Sequence, residues 1–293
     1  MPSSFLTPKN RATLLGGLAL LNWAMLALLS RMASDLPPFQ VTAMAFSVTA
    51  GFGLIWLAFR GEIGLLRQSP WAWAHGVIGL FGYHALFFTA LRYAPAAEAN
   101  LLNYAWPFLL VLLSAPILGL RLGVSHLLGV TIGLGGCLLL LADGANFGLE
   151  AAFGYACAIA AAFTWALYSV LSGRFKQVPT QAVIGFCAGG AVLAGIAHLL
   201  FEATVSPTPT ALVCVLLLGA GPAGGAFLLW DIGMKRGDPR LLAVLGYGVP
   251  VASTLILGLA GLAALTLATL MAAFLVALGG YLAARQAGSP PTP

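Results

Sequence analysis

Charge is what this sequence lacks. Only 7% of its 293 residues are Asp, Glu, Lys or Arg, against about 25% in a soluble globular domain, so water is not the main solvent of this chain. Cysteine is scarce too: Cys137, Cys157, Cys187 and Cys214 all lie inside apolar runs, without CxxC or other metal-ligand spacing, and read as small core hydrophobes. There is no GxxxxGK[ST] phosphate loop, so ATP hydrolysis does not drive this protein. HExxH, GxSxG and paired intramembrane carboxylates are also missing, so hydrolase chemistry lacks its equipment and the chain reads as a non-enzyme without cofactor or metal. Few cations fall within the apolar runs, which argues against a strongly anionic substrate such as a sugar phosphate.

What is present is hydrocarbon. A membrane-crossing helix needs about 20 mostly apolar residues, and ten such runs can be found, near 14–33, 39–59, 71–91, 97–119, 126–142, 154–173, 181–201, 212–234, 241–260 and 265–284. Between them lie helix-ending segments such as DLPP (35–38), RGEIGLLRQSP (60–70), DGANFG (143–148) and SPTPT (206–210). The runs are too long for barrel strands and do not alternate. The expected fold is an all-α membrane protein of ten transmembrane helices. Lys9 and Arg11 precede the first run as in a signal peptide, but RMASDLPP after it is a poor cleavage site, so it is kept as a resident helix.

Counting Lys and Arg in alternate loops sets the orientation. With the N-terminus cytoplasmic, 11 of the 13 cations are inside, and only Arg31 and Arg92 are outside. Both termini are then cytoplasmic, and the net charge of +5 is a topology signal rather than a nucleic-acid footprint. No nucleic-acid partner is implied.

Laid on itself at an offset of 142 to 143, the chain matches across its halves. NWAMLALLSRMASDLP (22–37) aligns with TWALYSVLSGRFKQVP (164–179), placing Trp23 over Trp165; a second match places Tyr104 over Tyr247 and Pro107 over Pro250. Two five-helix units are expected, 14–142 and 154–284. Five is odd, so the second unit enters the membrane from the opposite side. Inverted repeats mark many secondary transporters, whose substrate site lies between the halves near the midplane; a duplication without transport is the plainer alternative.

Asn100, Asn103, Tyr104 and Pro107 stand at i, i+3, i+4 and i+7, a polar stripe on the fourth helix. Helix packing accounts for Asn100 near the outer end, whereas Asn103 and Tyr104 are candidates to line a cavity. Proline removes a helical donor, so Pro107 and Pro250 are candidate hinges, joined by the glycine-rich GAGPAGGA at 219–226. On the third helix, Tyr83 and His84 meet Ala226 and Phe227 in the second copy, while the framework of Gly76, Gly79 and Gly82 faces Gly219, Pro222 and Gly225. His84 is read either as a substrate or proton ligand, or as a neutral imidazole satisfied by nearby backbone. Asp231 has Lys235 at i+4, so it is either a local ion pair or a gate or coupling group. His75 and His198 receive no role. Trp106, Trp165, Tyr168 and Tyr104 lie within spans, where flat rings bind apolar or aromatic side chains or simply pack the core.

The whole chain from Leu14 to Ala284 resembles the EamA group of the drug/metabolite transporter superfamily. RYAPAAEANLLNYAWPFLLVLLSAPILG and KRGDPRLLAVLGYGVPVASTLILG carry that resemblance. GYHALFFTALRYAPAAEANLLNYAWP and LLWDIGMKRGDP are more distinctive and are similar to bacterial aromatic amino-acid exporters of that group. The resemblance implies export of aromatic and related apolar amino acids across a bacterial inner membrane by alternating access. It places Tyr83, His84, Tyr104 and Trp106 at the substrate cavity; the repeat adds Trp165 and the stripe adds Asn103, with His84 and Asn103 orienting the amino-acid head group. A lipid or lipid-linked substrate translocase and a passive metabolite facilitator are the rival readings. Membrane lipids are the other partners, and a monomer is compatible with the sequence.

Overall fold

The computed structural model describes residues 7–33, 35–141, 148–261 and 266–287. Most of the DGANFG loop and the boundary residue Ala142 lie outside the described residues, as do the side chains of Arg31, Cys137 and Arg285. Among the described residues there is no strand, only helices and short connections.

The helices are α1 (Pro8–Ala24), α2 (Leu26–Met32), α3 (Pro38–Phe59), α4 (Pro70–Val77), α5 (Tyr83–Tyr93), α6 (Ala96–Asn103), α7 (Trp106–Leu118) and α8 (Val124–Leu141). The second half holds α9 (Ala152–Ser172), α10 (Ala182–Phe201), α11 (Pro209–Ala220), α12 (Gly225–Arg236), α13 (Pro239–Gly246), α14 (Gly248–Leu259) and α15 (Leu267–Ala287). Several begin as their sequence requires, with proline in the first turn and an oxygen ahead of it. Ser69 and Thr208 accept from Ala72 and Ala211 backbone N–H groups, both at 3.2 Å, satisfying donors that the helix start leaves orphaned.

Each apolar run is helical where described, but several runs are split. Among the described residues, six helical stretches, some joining two of these helices, are long and apolar enough to cross a membrane, or seven if α13 and α14, bent by 40°, form one span. α7 (Trp106–Leu118) is a shorter apolar helix, and Val124–Gly136 of α8 and Leu270–Gly279 of α15 are apolar stretches of similar length. Large hydrophobic side chains stand on the outside, among them Phe59 at 88% exposure and Leu199 at 77%. Such a surface is unfavourable in water and suits lipid.

The two halves are interleaved. α1 packs along α12, and its repeat counterpart α9 packs along α5, the counterpart of α12. α3 lies against α10 and α8 against α15, each helix on its own repeat mate. Small residues permit these close approaches: Gly154, Ala158, Ala161 and Ala162 of α9 are all buried.

The breaks recur at equivalent repeat positions. α6 ends at Asn103 and α7 starts at Trp106; α13 ends at Gly246 and α14 starts at Gly248. Proline explains both, because Pro107 and Pro250 cannot donate to the carbonyl four residues back, that of Asn103 and of Gly246. The GAGPAGGA segment interrupts the middle of its run: α11 ends within it at Ala220 and α12 starts within it at Gly225. Its first-half counterpart, Ile78–Gly82, is π-helical and joins α4 to α5.

Candidate functional site

The broken helices surround a cavity of about 140 Å³ in the middle of the bundle. Tyr83, His84, Asn103, Tyr104, Trp106 and Trp165, the six residues singled out in the sequence, all line it. They come from α5, from the α6–α7 break and from α9. The stripe on one helix face is corrected by the break at Tyr104: Asn100 lines the cavity as well, whereas Pro107 is buried beside it and does not.

Polar groups are held in defined directions. The Asn103 Nδ2 amide donates to the Tyr83 hydroxyl at 3.2 Å, while its Oδ1 is buried with no hydrogen-bond partner. His84 Nδ1 lies 2.7 Å from the Leu80 carbonyl, which only accepts, so Nδ1 carries the proton. That carbonyl belongs to the π-helical turn. The backbone tie expected for a neutral imidazole is therefore present on one nitrogen, and Nε2 is left without a protein partner among the described residues.

The apolar walls are aromatic. Trp23 meets Trp165 edge-on with ring centroids 5.3 Å apart, and Tyr83 lies 5.3 Å from Trp165. Phe227 sits 6.3 Å from His84 and 5.9 Å from Trp165. Trp230 underlies the site, within 5.1 Å of Trp23, 5.9 Å of Trp106 and 6.3 Å of Trp165, and its indole N–H donates to Ser169 Oγ at 2.9 Å. Sequence reasoning gave no site role to Trp23 or Trp230. The repeat carried the signal for Trp23, which aligns with Trp165; Trp230 carried none beyond its place beside Asp231.

Two contacts tie the cavity to the interruptions. Trp23 Nε1 donates to the Pro222 carbonyl at 2.9 Å, in the gap between α11 and α12. The Trp106 ring lies directly on Gly246, at the end of α13, where a Cβ would run into the indole. A tryptophan of the first half is thus seated by a glycine of the second.

Asp231 is placed away from this cavity, in a second cluster. Its Oδ2 accepts from Lys235 Nζ at 2.8 Å and from the Thr180 hydroxyl at 2.6 Å, and Lys235 also donates to the Val178 carbonyl at 2.8 Å. Both charged side chains are nearly inaccessible, at 4% and 6%. The ion pair is present, and it fastens α12 to the segment between α9 and α10. Beside it, His75 is stacked between Tyr168 and Phe175, with centroids 4.9 and 4.8 Å away, and Nε2 is 3.2 Å from Ser172 Oγ.

Asp238 forms a third cluster between α12 and α13. It accepts from Lys9 at 2.9 Å and Arg240 at 3.2 Å, and also caps α13. Burial pushes its carboxyl up, but Arg240 and Lys9 outweigh that and hold it at about 2. At the other end of the bundle, Glu202 accepts from the backbone N–H groups of Phe39 and Gln40 at 3.0 and 3.1 Å and pairs with His198 at 2.9 Å, capping α3 from α10.

A lateral groove of about 620 Å³ opens between α3 and α12 and shares no lining residue with the aromatic cavity.

The model of the EamA-like transporter family matches residues 10–142 and 152–285. The chain is 46% identical to an aromatic amino acid exporter, YddG, of Ancylobacter novellus, over 94% of this chain and 97% of that one. It is 25% identical to the aromatic amino acid exporter YddG of Salmonella typhimurium, over 93% and 96% of the two chains. A solved crystal structure superposes with a TM-score of 0.92 at 44% identity, covering 96% of this chain and all of the other.

Proposed function

The chain belongs to the EamA-like transporter family, and we propose that it exports aromatic and other apolar amino acids across a bacterial inner membrane by alternating access. The observation that carries this reading is the convergence of Trp23, Trp106, Trp165, Tyr83 and Phe227 on one cavity that also holds His84 and Asn103. Rings bind an aromatic side chain by stacking and by apolar burial. The head group needs polar partners in the same space, and Asn103 Oδ1 has an unused acceptor for an ammonium. Tyr83 O–H, whose oxygen already accepts from Asn103, and Tyr104 face the cavity as hydroxyl donors. The exporters to which the chain is similar carry the same kind of cargo in their names.

The split helices support a ten-span topology in which each proline break lies within one crossing, so that two five-helix units, 14–142 and 154–284, are inverted about the cavity. Both termini are cytoplasmic in this arrangement, in keeping with 11 of 13 cations inside. Bending at Pro107 and Pro250, with the Gly221–Gly224 interruption, opens the cavity to one side and then the other. The Asp231–Lys235 pair is the cytoplasmic gate, because it locks α12 to Thr180 and Val178 and must part for α12 to move. The membrane location and transport role leave no enzymatic step.

Counterflow of labelled tryptophan in proteoliposomes tests this, with phenylalanine, threonine, a drug cation and a sugar phosphate as competitors. Competition by phenylalanine, and none by the sugar phosphate, at zero and imposed pH gradient, is the expected result. Absence of counterflow with folded protein overturns it.

A further inference from the structure

The groove between α3 and α12 is mostly apolar; Thr49 at one end spends its hydroxyl on the Gly219 carbonyl, and a charged side chain stands only at the other. Phe52 and Trp56 of α3 form one wall, and Leu228 and Ile232 of α12 the other. The end is closed by Gln181, Thr180 and Arg236. Arg236 makes no hydrogen bond or ion pair among the described residues, although its neighbour Lys235 is fully engaged with Asp231. An unpaired guanidinium at the rim of an apolar slot calls for an anion that carries a hydrocarbon tail.

Dimensions select the tail. The groove follows α12, 12 residues long, or about 18 Å at 1.5 Å per residue. One leaflet of hydrocarbon is about 15 Å deep, half of a 30 Å core. The groove therefore runs from the end of α12 to the last turn of α11 at Gly219 and Ala220, the depth of one acyl chain. Trp56 and the Arg60 guanidinium, 5.3 Å from its ring, mark the head-group level on the facing helix.

We propose that this groove is a binding site for one anionic phospholipid of the cytoplasmic leaflet, with its phosphate on Arg236 and Gln181 and an acyl chain along Phe52, Trp56, Leu228 and Ile232. Basic pockets between spans on the cytoplasmic side suit such head groups. The lipid is a resident ligand rather than cargo, since the groove and the aromatic cavity have no residue in common. It also abuts the gate: Thr180 faces the groove while its hydroxyl donates to Asp231. This inference goes beyond the transport reading and is tested without substrate.

The experiment is native mass spectrometry of the purified protein after equilibration with an equimolar mixture of phosphatidylglycerol and phosphatidylcholine of matched chains. One retained phosphatidylglycerol, preferred over phosphatidylcholine, is expected. Arg236→Gln should cut that preference about fivefold, the value of roughly one cation near a charged membrane surface, and Arg236→Lys should restore most of it. Leu228→Trp, which fills the slot, should lower retention of both lipids. Equal retention of the two lipids by the unmodified protein overturns the proposal, and so does an equal loss in Arg121→Gln, which removes an exposed cation outside the groove.

Discussion

The side chain of Asn103, the last residue of α6, donates its amide to the hydroxyl of Tyr83, the first residue of α5, at 3.2 Å, and leaves its own carbonyl oxygen buried and unpaired. A buried group without a partner costs about 1–3 kcal/mol, so this pair holds an unsatisfied acceptor ready for a ligand. Tyr83→Phe removes the acceptor for the amide and should lower thermal stability in detergent by about 1–3 kcal/mol. Asn103→Ala deletes the strained acceptor together with the donor, so it should cost less stability yet weaken tryptophan counterflow about tenfold, or roughly 1.4 kcal/mol. Unchanged counterflow in a folded Asn103→Ala protein would remove Asn103 from the site.

Gly246 fixes the position of Trp106. Its Cα is covered by the Trp106 ring, and an added methyl must displace an indole that is itself buried against Trp230. Overpacking of this kind costs about 1–3 kcal/mol. Gly246→Ala should therefore reduce phenylalanine affinity by tenfold or more, whereas Gly51→Ala, at a position with open space around it, should leave it unchanged. A binding titration by intrinsic fluorescence quenching with phenylalanine compares the two.

Asp231 and Lys235 separate structure from gating. Removing one partner of a buried pair strands the other charge and costs about 3–5 kcal/mol, so Asp231→Asn alone should be poorly folded. Asp231→Asn combined with Lys235→Met removes both charges and should recover the melting temperature. If the pair is a gate, the double variant keeps tryptophan binding but shows an altered counterflow rate; full recovery of both measurements reduces the pair to a structural fastener.

Asp238 predicts a pH dependence with a definite sign. Its carboxyl is held at about 2, below its ordinary value of 3.8, so its pairing stabilises the folded protein above about pH 4 and is lost as pH falls toward 2. Thermal midpoints taken from pH 6 downward should fall through that window. Asp238→Asn, which still caps α13, should flatten the portion of the fall due to this site, and Asp238→Ala should lose about 1 kcal/mol more through the missing cap.

The helical runs, the repeat and most of the cavity residues were legible in the sequence for physical reasons. Twenty apolar residues bounded by proline and charge have few alternatives to a helix. Tyr83, His84, Asn103 and Tyr104 stood out because polar groups inside hydrocarbon need a partner. Trp230 did not stand out, although it touches three cavity tryptophans. Within an apolar run, a ring against lipid and a ring against the core look alike, and hydrophobic periodicity does not tell them apart. The groove beside Arg236 was illegible for the same reason: its two walls are about 170 to 180 residues apart in the chain, and no local pattern records that α3 and α12 stand open to each other.

The sequence by itself determined an all-helical membrane chain built twice, with its polar exceptions near the middle and its prolines at matching places, because solvation and the loss of a backbone donor act locally. Only the tertiary structure decided that the stripe is broken at Tyr104, that Trp23 reaches Pro222, that Gly246 seats Trp106 and that Asp231 fastens α12 to Thr180. Those are choices of partner between distant segments, and they follow from how the helices of one half pack into the other.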